Sequence, residues 1–389
     1  MVLCMSHYCK SPWMSLFVYD DGNVKSCCAG QWSWGNLKEQ SLMDIINNPK
    51  VKELKQDIIN GTPNDYCSYC KGCEDNAGES QRQYFDKFKM PDDKLYNPDV
   101  FDLMMVDMRW NNLCNLNCAY CDTMWSTTWQ KLKGMPMPDL KTNHYVSVLE
   151  LVKDSKDNME AIIMGGGEPL LHTQNVELLQ SLHDDIHIDI MTNLSTNLSH
   201  SAVFNELVKK TNVNWCISFE NIGDEFEYVR HGATWERMTK NLATIKALPT
   251  HSKMLKPTYN LLSATRLREL YKLSNELDFN IHWQTLIHPD QLCVTAFSKP
   301  VRDICLQAIE ELFDSTEYTD FKKRVRYSQG DDFFEHMKKE LITKHIQDNG
   351  VSVDKKFRLW LKDYESKYAT DVKSFSTLWP NLDNAILKL

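Results

Sequence analysis

An α/β fold built on a parallel sheet is predicted by three observations. Residues 103–283 alternate six short apolar strands with amphipathic helical stretches. The segments at 186–190 and 279–283 show strict alternation of apolar residues, the period of a strand rather than a helix. The chemically distinctive residues fall just after four of those strands, on the face where a β/α barrel or partial barrel carries its site loops.

Taken in order, residues 103–109 form the first strand and run into a cysteine loop. Tyr145, Val148, Leu149 and Val152 recur at i, i+3, i+4 and i+7 as one helix face. Residues 161–164 are a short buried strand ending in glycines. Ile186, Ile188 and Ile190 line a third strand that closes with Thr192-Asn193, and residues 213–219 supply the fourth. The fifth, 258–262, lies between helical stretches near 234–247 and 266–277, and Phe279, Ile281 and Trp283 mark the sixth. Residues 298–389 read as an amphipathic helical C-terminal cap, with Cys305, Ile309, Leu312 and Phe313 on one face.

Ahead of the barrel, residues 16–24 read as a β-hairpin with a tight Asp21-Gly22 turn. Helices near 41–47 and 51–59 follow, the second stopped by Asn60-Gly61 and Pro63. The charged, Gly- and Pro-punctuated stretch after Glu74 reads as a linker. The expected organisation is a small cysteine-rich domain over 1–80, a linker over 81–102, the β/α core over 103–297 and the cap over 298–389.

Composition narrows the class. With 389 residues and 42% hydrophobic residues the chain can fill a large core. A formal charge of −9 without long like-charge blocks offers no broad footprint for nucleic acid. No run of 18 apolar residues predicts a membrane span, and the first residues lack the pattern of a signal peptide, so the expected address is cytoplasmic. Thirteen cysteines, an odd number with tight x2 and x3 spacings, favour metal binding over disulfides.

The most informative of them stand in Cys114-Asn-Leu-Asn-Cys118-Ala-Tyr120-Cys121, followed by Gly165-Gly166-Gly167-Glu168-Pro169. Three thiolates at this spacing suit a cluster of iron and sulfide with one iron left open. Cys-x3-Cys-x2-Cys with an aromatic before the third Cys, then Gly-Gly-Glu-Pro, resembles the radical S-adenosylmethionine (SAM) superfamily. That resemblance implies a partial (β/α)6 TIM-like barrel and a [4Fe-4S] cluster whose open iron chelates SAM. It also implies reductive cleavage of SAM to a 5′-deoxyadenosyl radical, which takes a hydrogen atom from the substrate. By the same resemblance Glu168 and Gly165–Gly167 hold the SAM ammonium, Tyr120 faces the adenine, and Asn193, Ser218 and Glu220 contact ribose or methionine. Arg230 is placed on the SAM carboxylate, because a guanidinium fork suits a planar acid.

Cys9, then Gly22 and Cys27, then Cys67-x2-Cys70 form a second constellation. The hairpin brings Cys9 and Cys27 together, and the chain returns to deliver Cys67 and Cys70. This arrangement resembles the SPASM and twitch auxiliary-cluster domains, although it precedes the barrel instead of following it and lacks the spacing of a two-cluster domain. One auxiliary [4Fe-4S] cluster is therefore expected. Cys4, Cys28 and Cys73 are spare, and a four-Cys zinc site is the competing reading.

The implied function is a radical SAM enzyme, oxidoreductase in type, that oxidises or cross-links a peptide or protein side chain. A dehydrogenase or epimerase acting on a small molecule or peptide is the alternative, and a non-enzymatic zinc-binding interaction protein a distant one. The implied partners are an electron donor such as flavodoxin or ferredoxin and a peptide or small-molecule substrate. Protein purified without oxygen is expected to hold about eight iron and about eight sulfide per chain, about four per cube. Zinc with little iron in the same elemental analysis would reverse that expectation.

Overall fold

The computed structural model describes residues 8–75, 80–137, 145–249, 251–325, 329–346 and 353–387; Cys4 lies outside them. The chain folds as two compact units. One comprises residues 1–113, 138–191 and 201–213, the other residues 114–137, 192–200 and 214–389.

The first unit carries β1 (Ser15–Val18), β2 (Asn23–Lys25), β3 (Gly35–Asn36), β4 (Met105–Met108), β5 (Ala161–Met164) and β6 (His187–Thr192). They lie in the order β6-β5-β4-β1-β2-β3. β4 pairs in parallel with β5, and β5 with β6, joining Val106 to Ile162 and Ile162 to Ile188. All three residues are fully buried, as strands covered on both faces require. β1 and β2 form the expected hairpin, with Phe17 opposite Lys25 and the Gly22 N–H donating to the Tyr19 carbonyl at 3.0 Å. Gly22 has φ of 90°, the left-handed conformation a tight turn asks of glycine.

β1 also pairs in parallel with β4, from Ser15 beside Met105 to Val18 beside Met108. The hairpin therefore extends the sheet that carries the first core strand.

The expected linker is folded. It contains short helices at Gln81–Phe85 and Asp92–Leu95. The Trp13 indole donates to the Asn97 carbonyl at 2.9 Å, and the Asp102 N–H to the Trp13 carbonyl at 2.8 Å. The charged composition that suggested a linker belongs to its outer residues, while Phe85, Phe88 and Leu95 are buried.

The helices after the hairpin, Leu42–Ile46 and Pro49–Asn60, begin at Ser41 and Asn48, whose side-chain oxygens accept the Asp44 and Lys50 N–H groups. The second ends at Gly61, φ 67°. It buries Lys55, whose ammonium donates to the Val100 carbonyl at 2.7 Å and lies over Trp13 and Phe101.

In the second unit β7 (Val213–Ser218), β8 (Ser252–Lys256) and β10 (Asn280–Ile281) lie in the order β10-β8-β7, all parallel. β9 (Thr258–Tyr259) and β11 (Gln284–Thr285) form a separate parallel pair. The fifth strand thus starts six residues before its expected position and is broken at Pro257, which has no N–H to give a ladder. The C-terminal region is helical, from Lys299–Phe313 through Asp354–Lys367 to Pro380–Leu387. No helix of the described residues is long and apolar enough to cross a membrane.

Burial lowers the Lys55 pKa to about 8. A folded-state value below the unfolded one means that the charged lysine costs stability below pH 8 and that the cost fades as pH rises towards 10.5. The stability of the native protein relative to Lys55→Met should therefore rise by about 3 kcal/mol between pH 7.5 and 10.5, measured by urea unfolding of both. A constant difference would show that the ammonium is hydrated.

Candidate functional site

The cysteine loop belongs to the second unit and has almost no regular structure, so its backbone groups need partners elsewhere. Ser126 Oγ donates to the Leu116 carbonyl at 2.6 Å, Thr128 Oγ1 to that of Cys114 at 2.7 Å, and Trp129 Nε1 to that of Cys118 at 3.1 Å. Two loop N–H groups are taken by a distant turn: Asn117 donates to the His231 carbonyl at 3.1 Å and Ala119 to that of Val229 at 2.8 Å. Gly232, φ 98°, lets that turn approach, since a Cβ there would stand 3.3 Å from the Asn115 carbonyl oxygen.

Each thiol has a different outlook. Asn193 Nδ2 lies 3.7 Å from Cys114 Sγ and also donates to Asn115 Oδ1 at 3.2 Å. Arg230 Nη1 lies 3.9 Å from Cys118 Sγ. Burial raises the pKa of Cys118 and Cys121; the neighbouring Cys118 and Cys114 push Cys121 further, whereas Arg230 opposes the rise at Cys118. Thiols whose ionisation is opposed by burial, at Cys118 and Cys121, fit a positively charged metal centre, which would relieve that penalty.

Glu220, Arg230 and Tyr120 form one buried network. Arg230 Nη2 and Nε donate to Glu220 Oε1 and Oε2, both at 2.7 Å, and Tyr120 Oη donates to Glu220 Oε1 at 2.8 Å. Arg230 also donates to the Tyr120 hydroxyl. Burial pulls the Arg230 pKa down, but the Glu220 carboxylate outweighs it and the guanidinium is held charged. Sequence reasoning assigned these three residues separate contacts with SAM; here they also bind one another, Glu220 and Arg230 across the helix Gly223–Val229 and Tyr120 from a hundred residues away, which local patterns do not reveal. Ser218 ends β7, half-buried and outside this network.

In the first unit the glycine run follows β5. Gly166 and Gly167 have φ of 75° and 48°, and a Cβ on Gly167 would come within 2.2 Å of the Leu113 carbonyl oxygen. The Glu168 N–H donates to that same oxygen at 2.7 Å, and the fully buried Glu168 carboxylate accepts the Leu170 N–H at 3.1 Å. His172, which sequence reasoning left unassigned, is buried near the Leu113 and Gly166 carbonyls, without hydrogen-bond geometry to either, and burial lowers its pKa to about 4. Its only sequence signal is its position three residues after Pro169.

Cys9, Cys27, Cys67 and Cys70 line one cavity of about 240 Å³ in the first unit. One water-sized body needs about 10–15 Å³, so the space suits a polynuclear cluster. Burial raises Cys9 to about 11 and Cys67 to about 12, and pushes Cys27 and Cys70 up as well. Cys73, on the helix Ser68–Asp75, does not line this cavity, and neither does Cys28, which is exposed. Cys216 and Cys305 are buried apolar thiols. No three His, Cys, Asp or Glu among the described residues are arranged to hold a single metal ion.

Comparison with known proteins places two family models on the chain. Residues 108–256 match the radical SAM superfamily, and residues 9–74 match SPASM, an iron–sulfur cluster-binding domain. The first implies a [4Fe-4S] cluster and SAM, the second auxiliary iron–sulfur binding. Among solved structures, SuiB of Streptococcus suis bound to S-adenosylmethionine is 14% identical, with 68% of this chain and 63% of that one covered and a TM-score of 0.41. SuiB bound to its precursor peptide SuiA is 12% identical, with 68% and 63% covered and a TM-score of 0.40. Native anSMEcpe with bound AdoMet is 16% identical, with 54% and 59% covered and a TM-score of 0.40. The chain thus spans 59–63% of the length of these structures. No curated protein matches it.

Gly167→Ala must push back the backbone at Asn112 and Leu113. Gly134, φ 66° with open space around it, is the control that isolates backbone strain. Gly134→Ala should cost about 1 kcal/mol and Gly167→Ala at least about 3 kcal/mol, measured by equilibrium unfolding. Equal losses would mean that the close approach at Gly167 carries no weight.

Proposed function

We propose that this chain, a radical SAM protein with an N-terminal SPASM iron–sulfur domain, is an enzyme that oxidises or cross-links a side chain of a peptide or protein. The observation that carries the proposal is the loop of three closely spaced thiols, two of which are faced by Asn193 and by the Glu220-held Arg230. When bound, the cluster and SAM supply a 5′-deoxyadenosyl radical able to remove a hydrogen atom from carbon.

The chain's own residues do the rest. Cys114, Cys118 and Cys121 hold the cluster, and Arg230 places a fixed positive charge beside Cys118. Glu220 keeps that guanidinium from swinging into solvent, and Tyr120 locks both. Glu168, buried and anchored through its own N–H, is assigned to the SAM ammonium, with Gly165–Gly167 giving backbone access. Cys9, Cys27, Cys67 and Cys70 are assigned to one auxiliary cluster. Four protein ligands leave it no open iron, so its role is to accept the electron that an oxidised substrate must lose.

Replacing Cys114, Cys118 and Cys121 together with Ala should reduce 5′-deoxyadenosine formation to background, read by chromatography after anaerobic reconstitution. Cys67→Ala/Cys70→Ala should leave SAM cleavage within about threefold of the native protein while product formation falls at least about tenfold. Equal loss of both would make the N-terminal site structural.

A further inference from the structure

We propose that Lys256 and His282 form an anion-binding site that anchors the substrate by a carboxylate, so that the peptide acted on carries an aspartate or glutamate side chain there. The proposal deepens the function given above and rests on it for taking the bound chain as the substrate. It is carried by a row of uncommitted polar side chains at the ends of three strands, all within the second unit.

Parallel pairing sets Ser218, the last residue of β7, beside Lys256, the last of β8. The His282 N–H donates to the Leu255 carbonyl at 2.9 Å, which carries the ladder between β8 and β10 one residue past Ile281 and brings His282 to the other side of Lys256. Side chains alternate along a strand, so these three share one face, opposite Ile217, Leu255 and Ile281, which are buried. Ser218, Lys256 and His282 are half-buried. One step towards the strand starts, the same face carries Cys216, Met254 and Asn280. Charge on these two rows is thus confined to the strand ends, where a β/α fold keeps its chemistry.

Among the described residues Lys256 makes no ion pair, and neither its ammonium nor the His282 imidazole makes a hydrogen bond. A half-buried ammonium without an acceptor is costly, and an anion relieves that cost. The carboxylate of Glu220, two residues beyond Ser218, is already matched by Arg230. Burial, and then the Lys256 charge, lowers the His282 pKa to about 4, and no carboxylate offsets either cause. At neutral pH His282 therefore offers one N–H and no charge, and Lys256 supplies a single positive charge. That matches a carboxylate, whereas a phosphate, with nearly two negative charges, asks for a second cation. The row also lies close to the cysteine loop. Two residues beyond Lys256 the Thr258 N–H donates to Glu220 at 3.4 Å, and Glu220 holds the guanidinium that stands 3.9 Å from Cys118. A chain tethered at Lys256 is held beside that network.

The test uses protein reconstituted without oxygen and saturated with SAM, and two short capped peptides that differ only in a central glutamate or glutamine, with dissociation constants read by ligand-observed NMR. The native protein should bind the glutamate peptide at least about tenfold more tightly than the glutamine peptide. Lys256→Met should abolish that preference and Lys256→Arg restore it, while the SAM affinity and thermal midpoint of both variants match the native protein. A native protein that does not distinguish the two peptides overturns the proposal, as does a preference that survives in Lys256→Met. If Lys256→Met instead loses SAM affinity, the carboxylate held is that of SAM and the proposal falls. A third peptide, with a central alanine and a free C-terminal carboxylate, should bind no better than the glutamine peptide; if it equals the glutamate peptide, the site takes a chain terminus and the side-chain assignment falls. Absence of 5′-deoxyadenosine formation by the reduced native protein is a separate failure, that of the function on which the proposal rests, and leaves the peptide preference to decide the site.

Discussion

The buried ion pair between Glu220 and Arg230 is the interaction on which the second unit's chemistry depends. Taking two charges out of water costs several kcal/mol each, and only near-complete hydrogen bonding offsets that cost. Here the bonding is near-complete: both carboxylate oxygens receive guanidinium N–H groups, and one also takes the Tyr120 hydroxyl and, at 3.4 Å, the Thr258 N–H. The pair therefore fixes four pieces of chain relative to one another: the end of β7, the helix Gly223–Val229, the cysteine loop and the start of β9. Losing either charge would leave its partner buried and uncompensated, and the loop would lose its anchor along with its nearest cation.

The same unit explains why an irregular loop can hold a fixed shape. Residues 114–121 gain no ladder or helix bonds, so their carbonyls and N–H groups are met by Ser126, Thr128 and Trp129 on one side and by the turn at 229–231 on the other. That turn is itself held by the C-terminal region. Tyr364 Oη donates to the Tyr228 carbonyl at 3.0 Å, and His231 Nε2 lies 2.7 Å from Asp371 Oδ1. The helical cap, which had no role in the sequence beyond covering apolar surface, is thereby coupled to the loop through Tyr228 and His231, which flank Arg230.

Local signals were legible and non-local ones were not. Strand period, the Asp21-Gly22 turn, the helix stop at Asn60-Gly61 and the cysteine spacing each depend on a few neighbouring residues, and each reads directly from the chain. The parallel pairing of β1 with β4 joins residues about ninety apart, and no periodicity within either strand specifies its partner. The folded stretch at 81–102 was hidden for a related reason: its charged outer residues set its average, while its attachment runs through Trp13 and Lys55 far upstream. Glu220, Arg230 and Tyr120 were each chosen for what they could offer a ligand. Their bonds to one another depend on tertiary geometry, and so does the burial of His172.

The two sets of cysteines differ in a way that follows from their surroundings. Beside Cys9 and Cys70 lies Arg82, whose Nε and Nη2 donate to Glu74 at 2.8 and 2.9 Å. Burial, with repulsion among them, disfavours ionisation of the four thiols of that cavity. Buried thiols that resist ionisation are poor nucleophiles, and a bound metal would be what displaces their protons. Around Cys118 the balance is different, because Arg230 keeps a donor free for the sulfur after satisfying Glu220. A three-thiol site with a fixed cation holds less negative charge than a four-thiol site without one. With clusters bound, such a site would be the easier of the two to reduce, in keeping with the proposed function.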